Sequence, residues 1–219
     1  MIRNEKQLTV SRPVKTEIKV LVLVVIAVFS TTSCLKSIRR TETLKIIKQW
    51  TGKEIRFPSD LFCTALGKDT ACIDLYTENF KIVLYVDSIG CTSCQMNLAG
   101  WKKIMQESDT VFIRIPEFVF IFQPKQNDEK LLQSFFKQNG FSHPIFIDRN
   151  NEIYKLNNFP LKHDYQCFLV DKDNKVVTIG NPADVSGIWQ LFKRVIMESE
   201  NIVSAESRNK VFFKKYMYN

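Results

Sequence analysis

The chain has 219 residues, of which 45% are hydrophobic and 25% charged, so it can bury the core of one globular domain. Seven glycines and seven prolines exclude a collagen-like or low-complexity protein, and six cysteines are too few for a cysteine-dense scaffold. The formal net charge of +8 is spread along the chain in short basic runs, so nucleic acid is not expected as a partner.

Residues 1–33 have the composition of an export signal. Five basic residues precede an apolar run from Val20 to Phe29, and small residues lie directly before Cys34. A membrane-spanning helix needs about 20 apolar residues, and this run is shorter. The segment resembles a bacterial lipoprotein signal, although Thr31 replaces the usual aliphatic residue. This resemblance implies lipidation of Cys34 and a location facing the periplasm, while plain secretion and an uncleaved anchor are the alternatives.

The rest of the chain is expected to contain one domain. Removal of the signal would leave 26 basic and 21 acidic residues, a net charge of +5. Residues 34–50 are predicted to form a tether that becomes helical, 51–200 the globular domain and 201–219 a basic aromatic tail. The end of that tail, 211–219, is interpreted as either an edge strand or a disordered end.

Apolar runs and helical periodicities alternate within the domain. The predicted elements are a strand at 55–58, a buried strand at 79–86, a helix from Gly90 to Glu107, a strand at 118–122, a helix from Asn127 to Asn139, a strand at 144–148, a hairpin over 165–180 and a helix over 184–197. This order predicts an α/β fold with a mixed central sheet, helices on both faces and a C-terminal hairpin plus helix.

The candidate site is the motif Cys91-Thr92-Ser93-Cys94, which follows the first buried strand and is predicted to begin a helix. Its spacing brings both sulfurs within one helical turn, so a disulfide can form with little backbone movement. Free N–H groups and the helix dipole would lower the pKa of Cys91 and make it the attacking thiolate. Cys94 is expected to be buried, on the helix face of Leu98 and Trp101, and to resolve the mixed disulfide.

This strand–Cys-x-x-Cys–helix unit, together with the final strand–hairpin–helix pattern, resembles the thioredoxin-like superfamily and especially its membrane-tethered TlpA-like branch. The resemblance covers residues 52–198 and implies a thioredoxin-like fold with Cys91 as nucleophile and Cys94 as resolving thiol. It also implies reduction of disulfides in partner proteins. The helix and strand at 127–148 resemble an insertion that this branch shares with peroxiredoxins.

At several positions this chain differs from the residues that are usual in the family. Gly90 stands where the family usually has tryptophan, and Tyr85 where cytosolic thioredoxins have a buried carboxylate. Asp87 is close in sequence but is expected on the neighbouring face of the strand. The substrate-contacting cis-proline of the family aligns with Tyr165, or with Pro160 if about four residues are inserted. The resemblance therefore leaves the rate, the direction and the substrate open.

The other cysteines are assigned structural roles. Cys63 and Cys72 are interpreted as a disulfide that closes a small loop, worth about 2–3 kcal/mol in an oxidising compartment. Zinc is not expected, because eight residues separate this pair and no second Cys-x-x-Cys occurs. Cys167 is predicted to be a small buried residue within a strand.

Two functions remain open from the sequence. The first is an extracytoplasmic thiol-disulfide oxidoreductase, a monomer anchored to the membrane that acts on protein thiols and disulfides without cofactor or metal. The alternative is a non-catalytic thioredoxin-fold binding or scaffold lipoprotein of the cell envelope. A peroxiredoxin is not expected, because Asp87-Ser88-Ile89-Gly90 replaces the proline and threonine of that family. His163 is predicted to lie in the loop that faces the cysteine pair, as a proton-transfer group or a solvated side chain.

Overall fold

The computed structural model describes Lys19 and residues 40–58, 61–77, 79–88, 96–125 and 128–217, with side chains as far as Asn201. The chain divides into two compact units, Met1–Lys45 and Ile46–Asn219. Most of the predicted signal segment 1–33 and the predicted lipidation site Cys34 lie outside the described residues. Within the described part of the chain, no helix is long and apolar enough to cross a membrane.

Seven strands form one mixed sheet in the order β2-β1-β5-β4-β3-β6-β7. Strands β3, β4 and β5 run parallel, whereas β6 is antiparallel to β3, β7 to β6, and β1 to both β5 and β2. The strands are β1 Phe62–Ala65, β2 Lys68–Asp69, β3 Lys81–Val86, β4 Glu117–Phe122, β5 Ile145–Ile147, β6 Cys167–Val170 and β7 Val176–Ile179. All six residues of β3 are buried, including Lys81 at its amino end, and the apolar run that follows Lys81 is typical of a central strand.

Apart from Lys19, which is helical, the described residues contain five α-helices and one 3-10 turn. The helices are α1 at 40–50, α2 Leu98–Val111, α3 Glu129–Gln138, α4 Glu152–Asn157 and α5 Ser186–Met217, and the 3-10 turn is His163–Tyr165. The predicted insertion is present as α3 and β5, and β5 extends the sheet beyond β4.

Side chains that alternate along β3 pack into two separate apolar clusters, one on each face of the sheet. Leu84 belongs to the cluster that contains Trp101 of α2 and Phe192 of α5. Tyr85 belongs to the opposite cluster, in which its ring stacks on Phe159 with centroids 4.5 Å apart. The predicted fold class, a mixed sheet with helices on both faces, is confirmed.

The predicted opening strand at 55–58 is wrong. This part of the chain pairs with the sheet at an isolated bridge between Glu54 and Lys175. Beyond it, the side chain of Asn157 accepts a hydrogen bond from the N–H of Arg56 and donates one to its carbonyl, both at 2.8 Å. The backbone at Arg56 therefore bonds to α4, a helix that the sequence analysis did not predict.

Helix α4 begins because a buried carboxylate satisfies its first N–H groups. Asp148 Oδ1 accepts from Glu152 N–H at 2.8 Å, and Asp148 Oδ2 accepts from Tyr154 N–H at 3.3 Å. Carboxylates near a helix N-terminus also interact favourably with the helix dipole. The residue that could have predicted this helix is Asp148, four residues before Glu152. The sequence prediction placed Asp148 only at the end of a strand.

The last helix is longer than predicted. It runs from Ser186 to Met217, whereas the sequence analysis ended it at Met197. No glycine or proline occurs between Glu198 and Met217, so nothing in the local sequence stops the helix. The interpretation of 211–217 as an edge strand or a disordered end is therefore wrong.

Candidate redox site

The Cys91–Cys94 motif lies outside the described residues, but both flanks are described. Before it, β3 ends at Val86 and is followed by the buried Asp87. After it, Met96 is buried and Asn97 precedes α2. The motif therefore belongs to the segment that joins the carboxyl end of the central strand to α2.

Helix α2 begins later than the sequence analysis predicted. Met96 and Asn97 are not helical, and the first helical residue is Leu98. Asn97 caps the helix, because its Oδ1 accepts from Gly100 N–H at 3.0 Å. The predicted helix from Gly90 through Cys94 does not continue into α2. Cys91 itself lies outside the described residues, so the low pKa expected for it stays a prediction.

A polar cluster lies at the carboxyl end of β3, and we call Asp87, Gln166 and His163 the strand-end triad. Gln166 Nε2 donates to Asp87 Oδ2 at 2.9 Å, and Gln166 Oε1 lies 3.1 Å from His163 Nδ1. His163 Nδ1 is 4.0 Å from Asp87 Oδ2. Asp87 and Gln166 are buried, whereas the His163 side chain is 42% exposed. The triad thus connects a buried carboxylate with an imidazole at the surface.

The triad borders a small polar cavity of about 200 Å³. The lining residues are Leu84, Tyr85, Val86, His163, Asp164, Gln166, Asn181 and Asp184. Asn97 Nδ2 donates to the carbonyl of Ala183 at 2.8 Å, so the loop that forms one cavity wall also holds the residue before α2. A larger cavity of about 610 Å³, between Glu54–Pro58 and α4, contains none of the triad residues.

Tyr85 does not replace the buried carboxylate of cytosolic thioredoxins. Its hydroxyl donates to Gln123 Oε1 at 3.0 Å. Burial raises the pKa of Tyr85 strongly, and the negative charges of Asp148 and Asp87 raise it further. The hydroxyl therefore stays protonated at neutral pH. Asp87 supplies a buried carboxylate two residues later, beyond the end of β3.

The two residues aligned with the family's cis-proline lie near the triad. The carbonyl of Pro160 accepts from Gln166 Nε2 at 2.9 Å, and Tyr165 belongs to the 3-10 turn that contains His163. No cis peptide bond occurs among the described residues. Pro160 therefore contacts the triad through its carbonyl.

The three described cysteines outside the motif form one disulfide and one free thiol. Cys63 and Cys72 form a disulfide with their Cα atoms 5.3 Å apart, at the edge of the sheet formed by β1 and β2. Cys167 is a free thiol that is fully buried opposite Leu84. Burial, and then the charge of Asp184, raises the pKa of Cys167 well above its usual range. Within the described residues, no group of three or more His, Cys, Asp and Glu side chains is placed to hold a metal ion.

The strand connections decide the fold family. A parallel β3–α2–β4 unit is followed by an antiparallel β6–β7 hairpin next to β3 and by a final helix, as the family resemblance implied. The fold is thioredoxin-like. No protein-family model matches the chain, and no curated protein matches it significantly.

Three solved structures illustrate what the thioredoxin-like chain is similar to, all at low sequence identity. PrxQ from Xylella fastidiosa is 14% identical, with 68% of this chain and 96% of that chain covered and a TM-score of 0.48. The thioredoxin domain of a thiol-disulfide oxidoreductase from Bacteroides vulgatus is 10% identical, with 67% and 97% covered and a TM-score of 0.48. The pneumococcal exposed lipoprotein thioredoxin from Streptococcus pneumoniae is 16% identical, with 62% and 98% covered and a TM-score of 0.44.

The strand-end triad was not predicted as a unit from the sequence. Asp87 and His163 were predicted separately, and Gln166 was given no role. Asp87 and Gln166 are 79 positions apart, and neither lies in a recognisable motif. The available signal was the position of each residue, since Asp87 directly follows a buried strand and Gln166 directly precedes the strand paired with it.

Proposed function

We propose that the protein is a thiol-disulfide oxidoreductase in which Cys91 is the nucleophile and Cys94 the resolving thiol. The observation that carries this proposal is the position of the motif. The segment with both cysteines joins the central strand of a thioredoxin-like sheet to the helix that follows it. Two cysteines separated by two residues can form and release a disulfide with little backbone movement.

The proposed reaction transfers two electrons from the cysteine pair to a partner protein. The Cys91 thiolate attacks one sulfur of the partner's disulfide, and the other partner sulfur leaves as a thiolate. Cys94 then loses its proton and attacks Cys91, which releases the second partner sulfur. The products are a Cys91–Cys94 disulfide and a reduced partner, so no cofactor is required.

We further propose that this reaction takes place outside the cytoplasm, on a monomer held at the membrane by a lipid on Cys34. The Cys63–Cys72 disulfide supports an oxidising compartment, because disulfides rarely persist in the cytosol. Metabolic labelling with a radioactive fatty acid, compared between wild type and Cys34→Ala, tests the anchor. Equal labelling of both proteins would refute it.

The catalytic proposal is tested by reduction of insulin, followed as turbidity, with the full chain purified in detergent. We expect wild type to accelerate the reaction and Cys91→Ser to abolish the acceleration. Cys94→Ser should accumulate a mixed disulfide with the substrate, visible by non-reducing electrophoresis. Cys167→Ser is the matched control, since that buried thiol has no role in the proposed reaction.

A scaffold function is the second candidate, and one observation favours it. Helix α2 begins at Leu98, four residues after Cys94, and is capped by Asn97, whereas the activation of Cys91 was predicted from a helix that begins at Gly90. In that case Cys91 would react with iodoacetamide no faster than free cysteine at the same pH. Equal inactivity of wild type and Cys91→Ser, together with no trapped mixed disulfide in Cys94→Ser, would establish the scaffold over the enzyme.

A further inference from the structure

The cavity of about 610 Å³ beside α4, which we call the α4 cavity, is built from parts of the chain that do not border the cysteine segment. Its walls are the segment 54–58, helix α4, Tyr76 and the turn between β6 and β7. That turn follows Val170, which pairs with Lys81 at the amino end of β3, whereas the cysteine segment follows Val86 at the other end. The α4 cavity is therefore a separate feature from the redox motif.

Asn174, in the turn between β6 and β7, brings an unpartnered amide oxygen to this cavity. The residue is 6% exposed, and its Oδ1 has no hydrogen-bond partner within the described part of the chain. A buried polar atom without a partner destabilises the fold, so such an atom needs an explanation. Four side-chain atoms of this kind occur among the described residues, and only the one in Asn174 belongs to a residue that lines the α4 cavity.

The backbone of Asn174 is fixed, whereas its side-chain amide is free to turn. Its N–H donates to the carbonyl of Asp171 at 3.1 Å, and its own carbonyl accepts from Ile55 N–H at 2.8 Å. A half-turn about the last side-chain bond exchanges Oδ1 and Nδ2, and that torsion has two broad minima. The amide can thus direct either its acceptor or its donors to the cavity. A peptide group carries one donor and one acceptor, so it complements the amide in both orientations.

Charged side chains of both signs surround the cavity. Arg56 Nη2 donates to the carbonyl of Leu156 at 2.5 Å, and Lys155 Nζ donates at 3.1 Å to a carbonyl in the turn before α4. A guanidinium has five N–H donors and an ammonium has three, so both cations retain donors for a carboxylate or carbonyl of a ligand. Glu54 and Glu152 are exposed and line the same cavity. Two cations and two carboxylates complement a ligand that itself carries charges of both signs.

The rest of the lining is mainly apolar. Phe57, Pro58 and Leu156 are half-buried, and Tyr76 is 75% exposed. Ligand sites in proteins have volumes of about 300–1,000 Å³ and combine apolar walls with a few polar groups that orient the ligand. The α4 cavity has both properties, and its apolar wall is suited to an aliphatic or aromatic side chain.

We propose that the α4 cavity binds a peptide. The amide of Asn174 pairs with a peptide group of the ligand, an apolar ligand side chain packs against Phe57 and Tyr76, and ligand charges of both signs meet the charged side chains around the cavity. A free oligopeptide and an extended segment of a partner protein offer this same chemistry. No bond is made or broken in this step, so it goes beyond the proposed redox function and does not depend on it.

The test uses the probe acetyl-Lys-Leu-Glu-amide, which carries peptide groups, one apolar side chain, one cation and one carboxylate. Its binding to the full chain in deuterated detergent is followed by saturation-transfer NMR, which detects weak ligands. We expect saturable binding to wild type at probe concentrations below about 5 mM. The absence of saturable binding in that range would overturn the inference.

Two variants show whether Asn174 carries this binding. Asn174→Gly removes the amide, and glycine tolerates the left-handed backbone at this position, where φ is 58°. We expect it to bind the probe about tenfold more weakly, since one hydrogen bond is lost. Asn158→Gly is the matched control, because Asn158 has a φ of 52° and does not line the cavity. Equal binding by Asn174→Gly and wild type would contradict the proposal.

A structural role for the Asn174 amide predicts the opposite pattern in stability. Because Oδ1 has no partner in the fold, the urea midpoint of Asn174→Gly should be no lower than that of Asn158→Gly. A clearly lower midpoint would show that the amide stabilises the turn, and the inference would fail.

A competition experiment distinguishes the two sources of the peptide. The carboxymethylated insulin B chain is an unfolded polypeptide without free thiols, so it can bind but cannot exchange disulfides. Displacement of the probe by this chain supports the site as one for segments of partner proteins, and binding of the probe without displacement supports a site for free oligopeptides. Cys91→Ser should bind the probe as wild type does, so a failure of the proposed redox function would leave this inference standing.

Discussion

The central strand has a buried charge at each end, and the two ends are built differently. At its amino end, Lys81 is fully buried, and its Nζ lies 3.4–3.5 Å from the carbonyl oxygens of Thr77, Asn79 and Lys172. At its carboxyl end, Asp87 accepts a 2.9 Å hydrogen bond from Gln166, which also contacts an exposed imidazole.

This comparison separates a structural charge from one that can take part in chemistry. The hydrogen-bond acceptors around Lys81 Nζ are backbone carbonyls, and the nearby carboxylates of Asp171 and Glu117 act on it through their charge. The carboxyl end contains the imidazole of His163, which lies within hydrogen-bond distance of Gln166. It also lies next to the segment with the cysteine motif. The two ends therefore differ in position, because only the carboxyl end adjoins the segment that carries both cysteines.

The largest expected effect tests this difference directly. We predict that Asp87→Asn, which keeps the size of the side chain, lowers the rate of disulfide exchange at pH 7 by about 100-fold, the usual contribution of a positioned acid or base. Lys81→Met should change the rate by less than about twofold. Both rates are measured as the oxidation of the reduced protein by a small disulfide. Equal losses in the two variants would remove the distinction between the two ends of β3.

The next prediction concerns the stability of the fold and not the redox reaction. Replacement of both Cys63 and Cys72 by alanine should lower the free energy of unfolding by about 2–3 kcal/mol, because the disulfide constrains the unfolded chain. The exchange rate should stay at its wild-type value. Urea unfolding followed by circular dichroism measures the first quantity. A loss of exchange activity in the folded variant would instead place this disulfide in the redox reaction.

A third prediction concerns the pH dependence that Lys81 confers. Burial lowers the pKa of Lys81, so the unfolded chain binds this proton more tightly than the folded one. The contribution of Lys81 to stability therefore rises with pH in the alkaline range, up to the ordinary lysine value of about 10.4. We expect Lys81→Met to lack this rise and, at pH 7, to be more stable than wild type by about 1 kcal/mol. Urea unfolding at several pH values measures both effects, and parallel curves would contradict the prediction.

The smallest effect comes from an ion pair between α2 and α5. Glu107 accepts hydrogen bonds from Lys193 Nζ at 2.5 Å and from Trp189 Nε1 at 3.0 Å, and the Lys193 bond is the main cause of its lowered pKa. This contribution is present above about pH 4.5 and is lost as pH falls through the folded-state pKa. Glu107→Gln should cost about 0.5 kcal/mol at pH 7, since the carboxylate is partly exposed. A variant less stable by more than about 2 kcal/mol would show that the pair is part of the core.

The sequence predicted best where the pattern was local. The apolar runs at 79–86 and 118–122 became the central strands, and the turn between the predicted hairpin strands contains Asn174 in the left-handed region that asparagine tolerates. The prediction was wrong where a residue far along the chain bonds to the backbone. In the segment predicted as a strand at 55–58, the N–H of Arg56 donates to the side chain of Asn157, which is 101 positions away.

By itself, the sequence determined the alternation of strands and helices and the placement of two cysteines directly after a buried strand, because apolar periodicity and residue spacing are properties of neighbours along the chain. Only the tertiary structure decided that α2 begins at Leu98 and that Asp87, Gln166 and His163 meet. A cap or a hydrogen-bonded triad depends on the distance between side chains. That distance exists only once β3 and β6 have paired and packed.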